Sequence, residues 1–140
     1  MIRRAATEDL PAIAALAAVL EADADTAGVQ ARLARILDLA THAVFVAEGD
    51  AGPCGFAAAE HRLLPAGERI ELTWLAVDPG AQRRGIGTQL VAATEAWARR
   101  RGVGQVLVRA ALAREAAHAF YPALGYEALK TQHVYVRALR

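Results

Sequence analysis

Cysteine is almost absent: Cys54 is the single one among 140 residues, which excludes an internal disulfide and any Cys-x-x-Cys metal or redox pair. Its setting, between Pro53 and Gly55 at the head of an apolar run, suits a small packed side chain better than a nucleophile. The cytoplasm is the compartment expected for such a chain. Charge of one sign is also missing. A formal net charge of +1 provides no field to draw nucleic acid or an anionic bilayer, so neither is expected as a partner. The one tight basic cluster, Arg99-Arg100-Arg101, falls in the last turn of an expected helix, where cations complement the dipole. Aromatic residues, 6% of the chain, do not interleave with it as a nucleic-acid stacking surface would require. No run approaches the ~18 apolar residues of a membrane span. The histidines His42, His61, His118 and His133 form no His-x-x-x-His or His-Glu-x-x-His pattern, so no metal is expected.

What is present is a globular composition, 55% hydrophobic and 22% charged, in a length that suits one core and a single domain over residues 1–140. Met1-Ile2-Arg3-Arg4 before the apolar Pro11–Leu20 imitates a secretory signal, but Glu8 and Asp9 interrupt the join. Leu10, Ile13, Leu16, Ala17 and Leu20 instead recur at helical spacing.

The coarse order of elements follows from periodicity. Ile2–Ala5 reads as a short strand, and Thr7 as the N-cap of a helix from about Glu8 to Leu20. An acidic loop, Glu21 to Thr26, precedes a second helix marked by Val29, Leu33, Ile36, Leu37 and Ala40. Three strands follow at Ala43–Ala47, Gly55–His61 and Arg69–Val77, joined by turn-forming residues short enough for antiparallel hairpins. Apolar residues of both parities from Leu72 onward place the third of these centrally in a sheet. A long helix, about Gly85 to Arg101, carries a stripe of Ile86, Leu90, Ala93, Thr94 and Trp97. Then come a strand at 106–108, a helix Arg114–Leu124 closed by Gly125, and a final hairpin of Tyr126–Leu129 with Val134–Val136.

The segment Gln82-Arg83-Arg84-Gly85-Ile86-Gly87-Thr88 links a buried strand to a helix and puts glycines where backbone must bend or approach a ligand. Amide groups at the positive end of a helix favour a multiply charged anion, with Arg83 and Arg84 at the rim. The same residues also make a turn with two solvated arginines. Neither the Gly-x-x-x-x-Gly-Lys-Ser/Thr loop nor the dinucleotide pattern fits, because Leu90 stands three residues after Gly87.

Leu75-Ala76-Val77-Asp78-Pro79 followed by Gln82-Arg83-Arg84-Gly85-Ile86-Gly87 resembles the acyl-CoA signature of the GNAT superfamily of N-acetyltransferases. Roughly thirty residues later, Ala117-His118-Ala119-Phe120-Tyr121-Pro122-Ala123-Leu124-Gly125-Tyr126 is similar to that family's Ala-x-x-Phe-Tyr-x-x-x-Gly-Tyr segment. The resemblance covers essentially the whole chain and implies an α/β (α+β) GNAT fold. Its mixed, mostly antiparallel sheet would be flanked by helices and splayed between the fourth and fifth strands. One departure is Arg114, where many relatives carry an Asn against the CoA arm.

The resemblance further implies acetyl-CoA as co-substrate, held by Leu75, Ala76 and Val77 along the pantetheine and by Gln82 to Thr88 around the pyrophosphate. A primary amine would attack the thioester directly, with the Val77 N–H among the oxyanion donors. Tyr121 takes the place of the general acid, its other reading being a packed aromatic. Glu71, eleven residues before Gln82, takes that of the general base or stands as a paired sheet carboxylate. Tyr126 and Tyr135 are assigned to packing.

The acceptor stays open. Glu21, Asp23 and Asp25 suit a cationic amine of a small molecule or peptide, whereas Arg62 and Arg69 suit a carboxylate. A homodimer is also left open. The alternative to catalysis is a non-catalytic acyl-CoA sensor or regulatory module on the same fold.

Overall fold

Three apolar stretches in the middle of the chain form long strands, β2 (His42–Gly49), β3 (Gly52–Leu64) and β4 (Gly67–Val77), joined by tight turns into an antiparallel meander. The computed structural model describes residues 1–82, 84–110 and 115–140. Its contacts divide it into two compact units, Met1–Arg109 and Ala110–Arg140.

In the first unit β1 (Ile2–Arg4) adds antiparallel to β2, and β5 (Val106–Val108) adds parallel to β4, so the sheet runs β1-β2-β3-β4-β5. A parallel addition needs a long crossover, supplied by α3 (Ile86–Arg100). The helices α1 (Leu10–Leu20) and α2 (Thr26–Leu37) cover the opposite face, where Ile13, Leu16, Val29 and Leu33 pack on Val44, Val46, Phe56 and Ala58. The alternate residues Phe45, Ala57, Ala59 and Leu72 are buried as well. Burial on both faces explains why these strands read as nearly continuous apolar runs.

Helix ends follow local chemistry. Asp25 caps α2 by accepting the Gly28 N–H at 3.1 Å. α3 closes with Gly102 N–H on Arg99 O at 3.0 Å and Val103 N–H on Ala98 O at 3.0 Å, the paired bonds of a Schellman motif. Arg101 then lies over the Trp97 ring, 5.2 Å from its centroid, and donates to Ala40 O and to His61 Nδ1. That arginine therefore ties the end of α3 to the sheet.

Several expectations are corrected. Thr7 is not the N-cap: Thr7–Asp9 form a 3-10 turn and α1 begins at Leu10. Asp9 stands at the N-cap position of α1 without a side-chain bond to the helix; its carboxylate instead accepts Ala6 N–H at 2.7 Å and a forked pair from Arg3, both at 2.8 Å. Arg3 also reaches Glu48. The Arg3 hydrogen bonds hold the Asp9 carboxyl below its ordinary pKa against the opposing effect of burial, and Asp9, then Glu48, raise that of Arg3. The middle strand is β3 rather than β4, although β4 is interior. On α3 the buried stripe includes Val91 and Ala98, while Ile86 and Ala93 are half-buried.

The second unit contains α4 (Glu115–Ala123), ended by Gly125 at φ 91°, a left-handed conformation that glycine takes without a Cβ clash. Tyr126 N–H returns to Tyr121 O at 3.1 Å and Gly125 N–H to Pro122 O at 3.0 Å. The expected closing hairpin is not formed: among the described residues none of 126–140 is in a strand. Val134, Tyr135 and Val136 are 85%, 89% and 95% exposed, and a two-stranded hairpin with so little burial is marginal in water. Among the described residues, therefore, Tyr135 is not in the core; its ring lies 6.3 Å from that of His133.

Candidate active site

The site is organised by one extra residue. Ala58 on β3 pairs with Trp74 and Ala59 with Leu72, leaving Thr73 as a bulge whose hydroxyl donates to Ala58 O at 3.0 Å. The ladder from β4 to β5 covers Ile70, Glu71 and Leu72 and ends there. Before the bulge Ile70 N–H points toward β5, bonding Gln105 O at 3.0 Å; after it, Asp78 N–H points toward β3, bonding Cys54 O at 2.7 Å. Because amides alternate along a strand, the bulge reverses the parity, and the N–H groups of Leu75 and Val77 face the side that β5 leaves open. Ala76 faces β3 through its pairing with Phe56 and is buried.

Beyond β4 the chain turns through Pro79–Ala81, with Asp78 accepting Gly80 N–H at 2.8 Å. The Gln82 amide donates back to Val77 O at 3.3 Å, which ties this turn to the strand end. Gly85, at φ 75°, is the N-cap of α3 and offers no side-chain cap. The first helical bond there runs from Gln89 N–H to Gly85 O at 3.0 Å. Ile86, Gly87 and Thr88 make up the first turn, whose amides lack a carbonyl four residues back in the helix. Arg84 is exposed; Arg83, like Arg114, lies outside the described residues.

Close packing brings this turn against the sheet. A Cβ on Gly55 would meet Ala76 O at 3.1 Å and the side chains of Ile86 and Leu90 at 3.2 Å, so the absence of a side chain on β3 lets the start of α3 sit beside the end of β4. Cys54, half-buried and free, lies against Gly49.

Glu71 is 8% exposed, and its carboxylate accepts from Arg109 Nε at 2.9 Å on Oε1 and from the Arg62 guanidinium Nη1 at 3.4 Å on Oε2. It sits opposite Glu60 across the ladder. Glu60 itself lies 3.8 Å from both Arg62 and His42. Next to this row, under α2, is a hollow of about 170 Å³ with Leu33, Ile36, Phe56, Trp74 and Arg32 in its walls. The sequence did not mark this hollow, because its lining comes from three elements whose faces are matched only by the fold. The acidic loop before α2 is exposed, and Asp25 there is used as a cap.

In the second unit Tyr121 is half-buried, its ring edge-on to Phe120 at 5.0 Å and to Tyr126 at 5.8 Å. Tyr126 accordingly packs as expected. Among the described residues no group of histidine, cysteine and carboxylate side chains could hold a metal ion, and no helix is long and apolar enough to cross a membrane.

Solved structures share this fold over nearly the whole chain. The chain is similar to the aminoglycoside N-acetyltransferase AAC(6')-Iy crystallised with CoA, at 23% identity over 99% of this chain and 95% of that one, TM-score 0.89. It is also similar to the aminoglycoside acetyltransferase meta-AAC0020 from an uncultured soil metagenomic sample, at 25% identity over 100% and 96%, TM-score 0.80. A third likeness is to a transcriptional regulator from Bacillus halodurans C-125, at 20% identity over 99% of each chain, TM-score 0.83. No curated protein matches the sequence. The model of the acetyltransferase (GNAT) domain matches residues 40–128, and the chain belongs to the GNAT acetyltransferase family. The expected fold class and enzyme class are borne out.

Proposed function

We propose that residues 1–140 form one catalytic domain that transfers an acetyl group from acetyl-CoA to the primary amine of a small molecule, in a ternary complex. The observation that carries this is the open β4 edge at Leu75 and Val77 running directly into the Gly85-capped helix. An extended amide chain that ends in phosphates matches both parts: the edge offers strand-like hydrogen bonds, and the helix start offers amides to an anion. The solved relatives bound to CoA or named for aminoglycoside acetylation support donor and acceptor class. A single free thiol suits the cytoplasm.

Acetyl-CoA supplies an activated thioester; the protein residues do the rest. Leu75, Ala76 and Val77 align the pantetheine, and Gln82, Arg83, Arg84, Gly85, Ile86, Gly87 and Thr88 surround the pyrophosphate. The amine nitrogen bonds to the acetyl carbon, the Val77 N–H supports the oxyanion, and the carbon–sulfur bond then breaks. Glu71 accepts the amine proton directly or through water, at Oε2, the oxygen with the longer 3.4 Å contact. Tyr121 protonates the leaving thiolate, as its motif position suggests.

The test pairs binding with turnover. Acetyl-CoA at a hundred times its dissociation constant should add about 2.7 kcal/mol to stability, and free thiol should appear when an amine is added. Gly87→Glu, which places negative charge in the helix start, should remove the shift for CoA far more than for pantetheine. A thermal shift without thiol release over a broad amine panel would favour a sensor, and no shift at all would end the proposal.

A further inference from the structure

The acceptor side of this site has a chemical gradient built into the sheet. On β3, Ala58, Glu60 and Arg62 alternate onto the α2 face, and the register places Trp74, Glu71 and Arg69 opposite them. Two residues along a strand advance about 7 Å. An apolar row, a carboxylate row and an arginine row therefore follow one another, and the hollow under α2 lies at the apolar end.

The carboxylate row is already engaged, since Arg62 and Arg109 reach Glu71 while Arg62 and His42 flank Glu60. Arg69 is different. Among the described residues it has no carboxylate partner, and its Nε is buried without a hydrogen-bond acceptor. The remaining residues, Arg83, Ala111, Leu112, Ala113 and Arg114, carry no carboxylate either. Across the ladder from Arg69 stands Arg62. A like charge directly opposite and an unpaired buried donor are both unfavourable. An anion from outside the chain would relieve both.

Resting on the acetyl-transfer reading above, we propose that the acceptor is a zwitterionic amine of the apolar α-amino acid class. Its carboxylate meets Arg69, its amine lies at the Glu71 row beside the point where β4 and β5 part, and its side chain enters the hollow. The volume agrees: about 170 Å³ is small beside the ~300–1,000 Å³ of a drug-sized pocket, and admits one side chain rather than a multi-ring polycation. Arg32 at the hollow's wall adds a further positive charge that a polycation would have to face. Transfer forms the N-acetyl amino acid and releases CoA, with the amine proton leaving to Glu71 or water.

The experiment measures thiol release from acetyl-CoA with L-phenylalanine, L-phenylalaninamide, 2-phenylethylamine and spermidine. The acid should exceed the amide and the decarboxylated amine in kcat/KM by about 10- to 100-fold. The intrinsic bias runs the other way, because an α-amino group beside an amide, with pKa about 8, is freer at neutral pH. In Arg69→Gln the ratio of acid to amide should fall toward one through KM. The wild-type comparison needs no variant, so poor folding of Arg69→Gln leaves the inference exposed to refutation. Equal or better use of spermidine or 2-phenylethylamine would overturn it while leaving acetyl transfer intact, whereas no thiol release from any of the four would remove both.

Discussion

Adding a side chain at Gly55 tests how tightly the start of α3 must sit on the sheet. Its Cβ would meet a backbone oxygen, Ala76 O, at 3.1 Å, and the fully buried Leu90 at 3.2 Å, so no flexible chain end is available to move aside. Overpacking of this kind costs about 1–3 kcal/mol. Replacing glycine with alanine at a compatible φ recovers about 0.4–1 kcal/mol by restricting the unfolded chain. Gly55→Ala should therefore be nearly neutral to about 2.6 kcal/mol destabilised. Gly55→Val, with two more methyl groups against Ile86 and Leu90, should lie near the upper limit of the overpacking range. At about 3–5 °C per kcal/mol for a chain of this length, valine should lower the melting midpoint by roughly 10 °C. Because the displaced elements carry Leu75 to Thr88, acetyl-CoA affinity should fall with stability, by about tenfold or more in the valine variant. Chemical denaturation and calorimetric titration of both variants provide the readout. A valine variant with native stability and native affinity would refute the close approach; lost stability with native affinity would separate this packing from the cofactor turn.

Tyr121→Phe keeps the ring contacts with Phe120 and Tyr126 but removes the transferable proton, so single-turnover acetyl transfer should fall about 10²- to 10⁴-fold with stability nearly unchanged; near-normal transfer would leave Tyr121 a packing residue. Glu71→Gln should lower kcat more than it changes acetyl-CoA affinity, and the deficit should shrink as pH rises and the free amine becomes abundant; a pH-independent deficit would point to Glu71 holding Arg62 and Arg109 instead. The Asp9 carboxyl, held below its ordinary value of about 3.8 by Arg3, contributes stability that is present above pH ~4 and lost as pH falls through the lower folded value. Asp9→Asn should therefore be less stable than the parent at neutral pH and lose less between pH 5 and 3, as read by urea denaturation.

Much of the fold was legible because its elements announce themselves locally. Apolar runs bounded by turn-forming residues located the strands that became β2, β3 and β4, and the glycines at 85, 102 and 125 marked helix ends where the structure has them. The cofactor turn was legible for the same reason, since it is one contiguous segment. Residues acting across elements were harder to read: Thr7 looks like a cap, yet it opens a 3-10 turn whose Asp9 carboxylate is engaged by Arg3 of β1 and by the Ala6 amide. The bulge at Thr73 left only a blurred parity from Leu72 onward, which looked like two-sided burial. The hollow under α2 and the unmatched Arg69 depend on register between strands, which no single stretch encodes.

The extra residue at Thr73 also sets a hazard. By turning the amides of Leu75 and Val77 toward the gap beyond β5, it creates a short stretch of strand whose backbone invites pairing with any other extended chain. The parting of β4 and β5 puts this stretch one strand in from the sheet's margin, where β5 flanks only its start. Its protection is brevity: only the residues from Thr73 to Val77 are involved, with Glu71 before and Asp78 after as charges that disfavour a longer ladder. A pantetheine arm lying there would act as a substitute strand. Loss of that ligand during purification or heating should then promote association between copies, and saturation with a CoA thioester should keep the protein monodisperse by blocking the edge as well as by raising the cost of unfolding.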